Sequence, residues 1–212
     1  MCPRLVSHRE AVALQKRRAY QEWDYWGRPV PSFGDPAARL LIVGLAPGAH
    51  GANRTGRMFT GDSSGDFLYK ALFNSGFGSQ PTSTDRDDGL RLVDAYITAP
   101  VRCAPPGNKP TREEFRACRT FLEQEVDLLP NVRVVVALGR LALDSYLTVW
   151  LDRGLIRRRS DYPFSHGVHH RLPPGLPALL CSYHPSRQNT QTGLLTMQML
   201  QSVFDRARQM AV

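Results

Sequence analysis

The sequence has few of the features that would take it out of the cell or into a membrane. No stretch approaches the roughly 18 unbroken apolar residues of a spanning helix. The first residues, Met1 to Tyr20, are interrupted by Arg4, Arg9, Lys16, Arg17 and Arg18. A secretory signal does not read that way, and a cytoplasmic protein is expected. Cysteine is scarce: Cys2, Cys103, Cys118 and Cys181 are the only four, too few and too scattered for the disulfide framework of a small secreted domain. Reduced thiols or metal ligands are the better expectation. No long linker and no internal repeat divides the chain, so residues 1–212 are expected to form one domain. Two nucleotide fingerprints are also missing, the Gly-x-x-x-x-Gly-Lys-Ser/Thr phosphate loop and the Gly-x-Gly-x-x-Gly turn, which counts against an ordinary nucleotide cofactor.

Acidic residues are outnumbered. There are 19 Asp and Glu against 27 Lys and Arg, a formal charge of +8. Such an excess favours a polyanionic partner such as nucleic acid, although a solvated basic surface would have the same composition.

The hydrophobic pattern is better defined. Four aliphatic or β-branched runs read as buried strands: Arg39 to Leu45, Ala95 to Val101, Val132 to Leu138 and Ala178 to Ser182. They lack polar alternation, as strands covered on both faces do. Between and around them lie helical patterns at about Ser64 to Ser75, Thr111 to Leu129, Arg140 to Leu151 and Leu194 to Met210, with one more near the N-terminus. Thr111 and Glu114 have capping-box spacing behind Pro110, and Phe115, Cys118, Leu122 and Val126 repeat at helical intervals. The expected fold is α/β, a three-layer α/β/α sandwich around a short, mainly parallel four-stranded sheet.

In open parallel sheets, ligands collect beyond the carboxyl ends of the strands. Three polar loops fall there: Gly44 to Asp62, Arg102 to Lys109 and Tyr183 to Thr192. The glycines of the first loop would let backbone amides approach an anion. Phe59 is placed to stack on a flat base and Asp62 to orient a water, but a core aromatic and a helix cap would look the same. His184 begins the third loop, where an imidazole can donate to a developing oxyanion or serve only as a structural histidine. Arg187, Gln188 and Asn189 suit entry into a duplex, with Ser186 and Thr190 on phosphates; a polar surface turn has similar composition. Cys103 and Cys118 can equally be unrelated thiols, Cys118 acting as a small hydrophobe.

These motifs occur together as Gly44-Leu-Ala-Pro-Gly-Ala-His-Gly51, Asn53-Arg-Thr-Gly-Arg57, Phe59-Thr-Gly-Asp62, Val101-Arg-Cys-Ala-Pro-Pro106, Asn108-Lys-Pro-Thr111, Ser182-Tyr-His184 and Ser186-Arg-Gln-Asn-Thr-Gln-Thr-Gly193. In order and spacing they closely resemble the type B (fifth-family) uracil-DNA glycosylases, from about Cys2 through the last helix. The resemblance implies the glycosylase fold and hydrolysis of the N-glycosidic bond of uracil in DNA, leaving an abasic site for base excision repair. A non-catalytic nucleic-acid-binding protein on the same fold is the alternative.

By the same resemblance, His184 would donate to a uracil carbonyl oxygen and Asp62 would be the general base or support for the sugar cation. Asn108 would read or hold the base. Gly44, Ala46, Gly48, His50 and Phe59 would form the base pocket. Asn53, Arg54, Lys109, Ser186, Arg187, Gln188 and Asn189 would contact DNA. Type B enzymes are associated with other deaminated or damaged bases as well. The partner implied is DNA containing such bases, with no membrane and a monomeric protein. The resemblance also implies a [4Fe-4S] cluster, for which Cys2, Cys103 and Cys118 match three family ligands. The first cysteine of the family's Cys-x-x-Cys pair would precede Met1, so the expectation is either a downstream recorded start or a different fourth ligand. Cys181 is expected in the core.

Overall fold

The computed structural model describes residues 2–212. Helix α1 (Pro3–Gln15) precedes strands β1 (Phe33–Gly34) and β2 (Leu40–Val43), then helices α2 (Ala52–Thr55) and α3 (Ser63–Asn74). Strand β3 (Ala95–Thr98), helix α4 (Arg112–Leu128), strand β4 (Val134–Leu138) and helix α5 (Arg140–Asp152) follow. The chain ends with β5 (His169–His170), β6 (Ala178–Ser182), α6 (Arg187–Gln191) and α7 (Met197–Met210).

The sheet runs β1-β3-β2-β4-β6-β5. Its four inner strands are the four expected from sequence, and all of their pairings are parallel. The expected strand count of four is corrected to six. Two-residue strands join antiparallel at each edge, Phe33–Gly34 against β3 and His169–His170 against β6, and two residues are too few to leave a periodic pattern.

Burial on both faces explains the missing polar alternation. Leu40 and Ile42 of β2 pack into a cluster with Leu68 and Leu72 of α3 and with Leu200, Val203 and Phe204 of α7. Leu41 and Val43 point the other way, into a cluster with Leu143, Tyr146 and Leu147 of α5. Successive strand residues face opposite sides, so each inner strand feeds two apolar layers. At roughly 25 cal/mol per Å² of apolar surface removed from water, these two layers supply the main driving force for the fold.

Helix α4 starts as its sequence requires. Thr111 accepts from the backbone of Glu114, and the Glu114 carboxylate accepts from the backbone of Thr111. Glu114 also receives Arg4 of α1 at 2.7 Å, which joins the N-terminal helix to the start of α4. A third apolar cluster of Leu5, Val101, Cys103 and Cys118 lies beneath that joint. No helix among the described residues is long and apolar enough to cross a membrane.

Candidate active site

All four inner strands release their loops at one edge of the sheet. The longest of these loops, between β2 and α3, folds back on itself and contains the four-residue helix α2, too short to leave a helical pattern in the sequence. Asp62 ends the loop and caps α3, with Oδ1 accepting from the amides of Ser64 and Gly65 at 3.0 Å each. Its other oxygen is turned inward. A methyl group built on Gly48 would lie 2.7 Å from Oδ2, and one on Gly51 would lie 2.1 Å from it. Asp62 is therefore both a helix cap and a carboxylate presented to the glycine loop. Burial pushes its pKa up, against the two amides that favour the charged form.

Phe59 has the left-handed backbone that side chains rarely adopt, with φ 53°. Its ring lies over Gly44, where a Cβ would come within 2.8 Å of Cε2, and its centroid is 5.8 Å from that of His184. Gly65 permits this arrangement, because any Cβ there would collide with the Phe59 carbonyl. The first and third loops thus meet through Phe59 and His184.

His184 sits in a recess that strips water from its ring, and its pKa is pushed down to about 4. The imidazole is neutral at physiological pH, with one nitrogen free to donate. Asn189 holds the turn by donating its amide to the His184 carbonyl at 2.8 Å. On the other side, the Tyr183 backbone amide donates to Nδ1 of His166 at 3.2 Å, and the two rings stack with centroids 5.1 Å apart. An amide can only donate, so Nδ1 of His166 is unprotonated; burial favours that neutral form.

Two expected DNA contacts, Asn53 and Arg54, are corrected by their burial. Asn53 is fully buried and its amide donates to the carbonyls of Arg9 and Ala49. Arg54 is also interior, donating at 2.8 Å to the carbonyls of His50 and Gly61. Its guanidinium lies 4.0 Å from the ring centroids of both Tyr20 and Trp23. These two residues shape the loop from within and leave no surface for a DNA backbone. Asn189 is half-buried and donates to the His184 carbonyl, and the half-buried Ser186 hydroxyl accepts from the Asn189 amide as the α6 cap. Lys109, Arg187 and Gln188 are exposed. The side chain of Ala46 packs on the Leu5, Cys103 and Cys118 cluster, so its pocket contribution is confined to the backbone. His50 is anchored by the Tyr25 hydroxyl at 3.1 Å from Nδ1. Asn108 lies on an exposed turn with φ 57°.

Other supports left no motif in the sequence. Arg57 forms a buried pair with Asp88, with contacts of 2.9 and 2.7 Å, and also donates to Thr60 and Ser83. This fastens residues 83–88 against the loop that ends at Asp62. Burial alone would raise the Asp88 pKa, but Arg57 and the amides of Leu90, Thr84 and Asp85 hold it down at about 2.

The thiols form a separate group. Cys2 stands just before α1, with no side-chain bond to the helix amides, and packs, with Ala46 and Phe115, on the cluster containing Cys103 and Cys118. Arg9 donates to the Cys103 sulfur at 2.9 Å. Burial raises the pKa of both Cys103 and Cys118. A cubane cluster ordinarily takes four thiolates, whereas this group offers three. Among the described residues, no set of three or more His, Cys, Asp or Glu side chains is arranged to hold a metal ion. The described donors therefore do not complete such a site. Cys181 is buried in the layer under α5, as expected.

The family model of the uracil DNA glycosylase superfamily matches residues 31–208. A type-5 uracil-DNA glycosylase of Thermus thermophilus is 57% identical over 211 residues, spanning 100% of this chain and 93% of the relative. The type-5 enzyme of Mycobacterium leprae is 53% identical over 99% of this chain and 90% of its own length. That of Pyrobaculum aerophilum is 46% identical over 97% of this chain and 86% of its own. With matches of this extent on the fold and loops described above, the chain belongs to the uracil DNA glycosylase superfamily.

Proposed function

We propose that this protein hydrolyses the N-glycosidic bond of uracil, and of other deaminated or damaged bases, in DNA. The observation that carries this reading is the meeting of Asp62 Oδ2, the Gly48 and Gly51 backbone, Phe59 and His184 around one loop. The relatives are named as uracil-DNA glycosylases, and the arrangement suits that chemistry. A base must leave the stack to be reached, and Phe59 offers it a new stacking face. As the glycosidic bond breaks, charge develops on the departing uracil and on the sugar. A neutral His184 donates to the uracil oxygen without first having to lose a proton, and Asp62 Oδ2 faces the sugar cation or takes a proton from the attacking water. Helix α5 begins directly after Gly139, where a Cβ would lie 3.3 Å from the His184 Cβ, so a positive helix end adjoins the departing anion.

Lys109, Arg187 and Gln188 would follow the DNA backbone, and Asn108 would close over the base when DNA binds. The whole chain would act as one domain and one subunit. Cys2, Cys103 and Cys118 would supply three ligands of a [4Fe-4S] cluster that fastens α1 to the second loop; iron and sulfide analysis with an optical spectrum tests this.

The deciding experiment uses a labelled oligonucleotide with one uracil opposite guanine, followed by alkali. The wild type should yield strand breaks, and Asp62→Ala and His184→Ala should each lose about 100-fold or more. Duplex binding without cleavage by the wild type would overturn the reading. Fully active variants would leave the activity standing and remove these two residues from it.

A further inference from the structure

Strand β6 delivers His184 to the site just where its own pairing runs out. The edge strand β5 pairs with it only at Leu179 and Leu180. The residues before β5 carry the ladder one step further, Gly167 donating to the Cys181 carbonyl and Cys181 to that of Val168. Amides on the same edge of a strand recur at every second residue, so the next donor on this edge is the Tyr183 amide. A side chain receives it: Nδ1 of His166, at 3.2 Å. Counted back from the pair of His169 and Leu180, His166 is the residue opposite Tyr183.

The peptide joining Ser182 to Tyr183 is thereby held on both sides. Its carbonyl accepts from the Gly139 amide at 2.8 Å, and its N–H donates to His166. The Tyr183 ring is held by the same turn, stacked on His166 with centroids 5.1 Å apart and flanked by Phe164 at 6.1 Å. The turn is itself fastened to α7, where Arg206 donates to the Gly167 carbonyl at 3.2 Å. His184 comes one residue later, and Asn189 holds its carbonyl from the other side. Its imidazole is thus suspended between two anchors, Tyr183 before it and Asn189 after it.

Only an unprotonated Nδ1 can accept from an amide. The Ser182 hydroxyl lies 3.4 Å from the same nitrogen but donates to the Tyr183 carbonyl at 3.0 Å, which leaves the Tyr183 amide as the donor. Without that acceptor the peptide is free to tilt, and His184 tilts with it.

We propose that His166 is a positioning residue for His184: by accepting from the Tyr183 amide and stacking on the Tyr183 ring, it fixes the approach of the imidazole to the departing base. This rests on the reading of His184 as the donor to that base.

Two variants separate the bond from the packing. His166→Asn keeps an acceptor one bond from Cγ, where Nδ1 stands; His166→Phe keeps a ring against Tyr183 and removes the acceptor. The readouts are single-turnover release of uracil, the Kd for the duplex, and the His184 ring signal in protein labelled with 15N-histidine. That signal, one of six histidines, is identified by its absence from His184→Ala. A displacement of about 1 Å costs on the order of 100-fold in rate, so the smaller tilt in His166→Phe should cost about tenfold, with the duplex Kd unchanged. His166→Asn should recover most of that loss. Added to His184→Ala, His166→Phe should cost nothing further, because residues acting through one another are not additive. The His184 ring signal should move in His166→Phe and return in His166→Asn.

An unmoved His184 signal in His166→Phe would overturn the proposal, as would a His166→Asn variant impaired as much as His166→Phe. The same loss from His166→Phe with and without His184 would overturn it too. A fully active His184→Ala would instead remove the catalytic role of His184, and the ring signal would then decide by itself whether His166 positions that residue.

Discussion

Gly51 and Asp62 are so close that a methyl group on the glycine would sit 2.1 Å from the aspartate Oδ2. The carboxylate cannot retreat, because its other oxygen is held by two amides at the start of α3. Gly51→Ala should therefore misplace Oδ2 while leaving the two core layers intact. A displacement of about 1 Å costs on the order of 100-fold in rate, and uracil release by Gly51→Ala should fall by that much with an unchanged far-ultraviolet circular dichroism spectrum. Gly48→Ala, with 2.7 Å in place of 2.1 Å, should lose less.

Asp62→Asn separates the two roles of the residue. Asparagine caps helices as well as aspartate does, so α3 should keep its start. The Asp62 pKa is raised in the folded protein, so its charged form is disfavoured there relative to the unfolded chain. Ionisation thus subtracts stability at neutral pH, and the subtraction disappears as pH falls below the unfolded value of about 3.9. The variant should melt at or above the wild-type temperature at pH 7, lose this advantage towards pH 4, and be inactive throughout. A clear loss of melting temperature at pH 7 would contradict the burial argument.

The pH dependence of single-turnover uracil release should carry an acid limb from Asp62, set above the ordinary carboxylate value of 3.8. His184, with its pKa pushed down to about 4, should add no limb near its ordinary value of 6.5. His184→Gln should consequently trace the wild-type profile at reduced height. A limb near 6.5 that vanishes in His184→Gln would show that the imidazolium is the working form.

The pair of Arg57 and Asp88 predicts a stability effect distant from the chemistry. The side chains are 4% and 11% exposed, and removing one partner of a buried pair typically costs about 3–5 kcal/mol. Asp88→Ala should lose about that much in urea denaturation at pH 7. The Asp88 pKa is depressed to about 2, so in the wild type this contribution is complete above about pH 4 and fades as pH falls towards 2.

The inner sheet and the long helices were legible because burial on two faces and helical spacing both leave periodic traces, as in Val134–Leu138 and Arg112–Leu128. The edge strands were not legible, since Phe33–Gly34 and His169–His170 are defined by their partners alone. The loops carrying Asp62, Phe59 and His184 could be read from residue type and from family resemblance. The direction of side chains within them could not. Asn53, Arg54 and Asn189 look like DNA ligands in a polar string, yet each donates to a backbone carbonyl of its own fold. Nothing in the sequence marks His166, because its partner, Tyr183, is 17 residues away and bonds through the backbone.

The two short edge strands also affect behaviour in a crowded solution. A sheet normally ends in a row of unpaired amides and carbonyls that can recruit a strand from another chain. Here each end of the sheet is closed by a strand of two residues. At Gly34 the backbone approaches so closely that a Cβ would lie 2.4 Å from the Ala95 carbonyl. A border of that length offers too few ladder positions for a stray strand to zip along. The parallel sheet is thereby kept from growing into its neighbours.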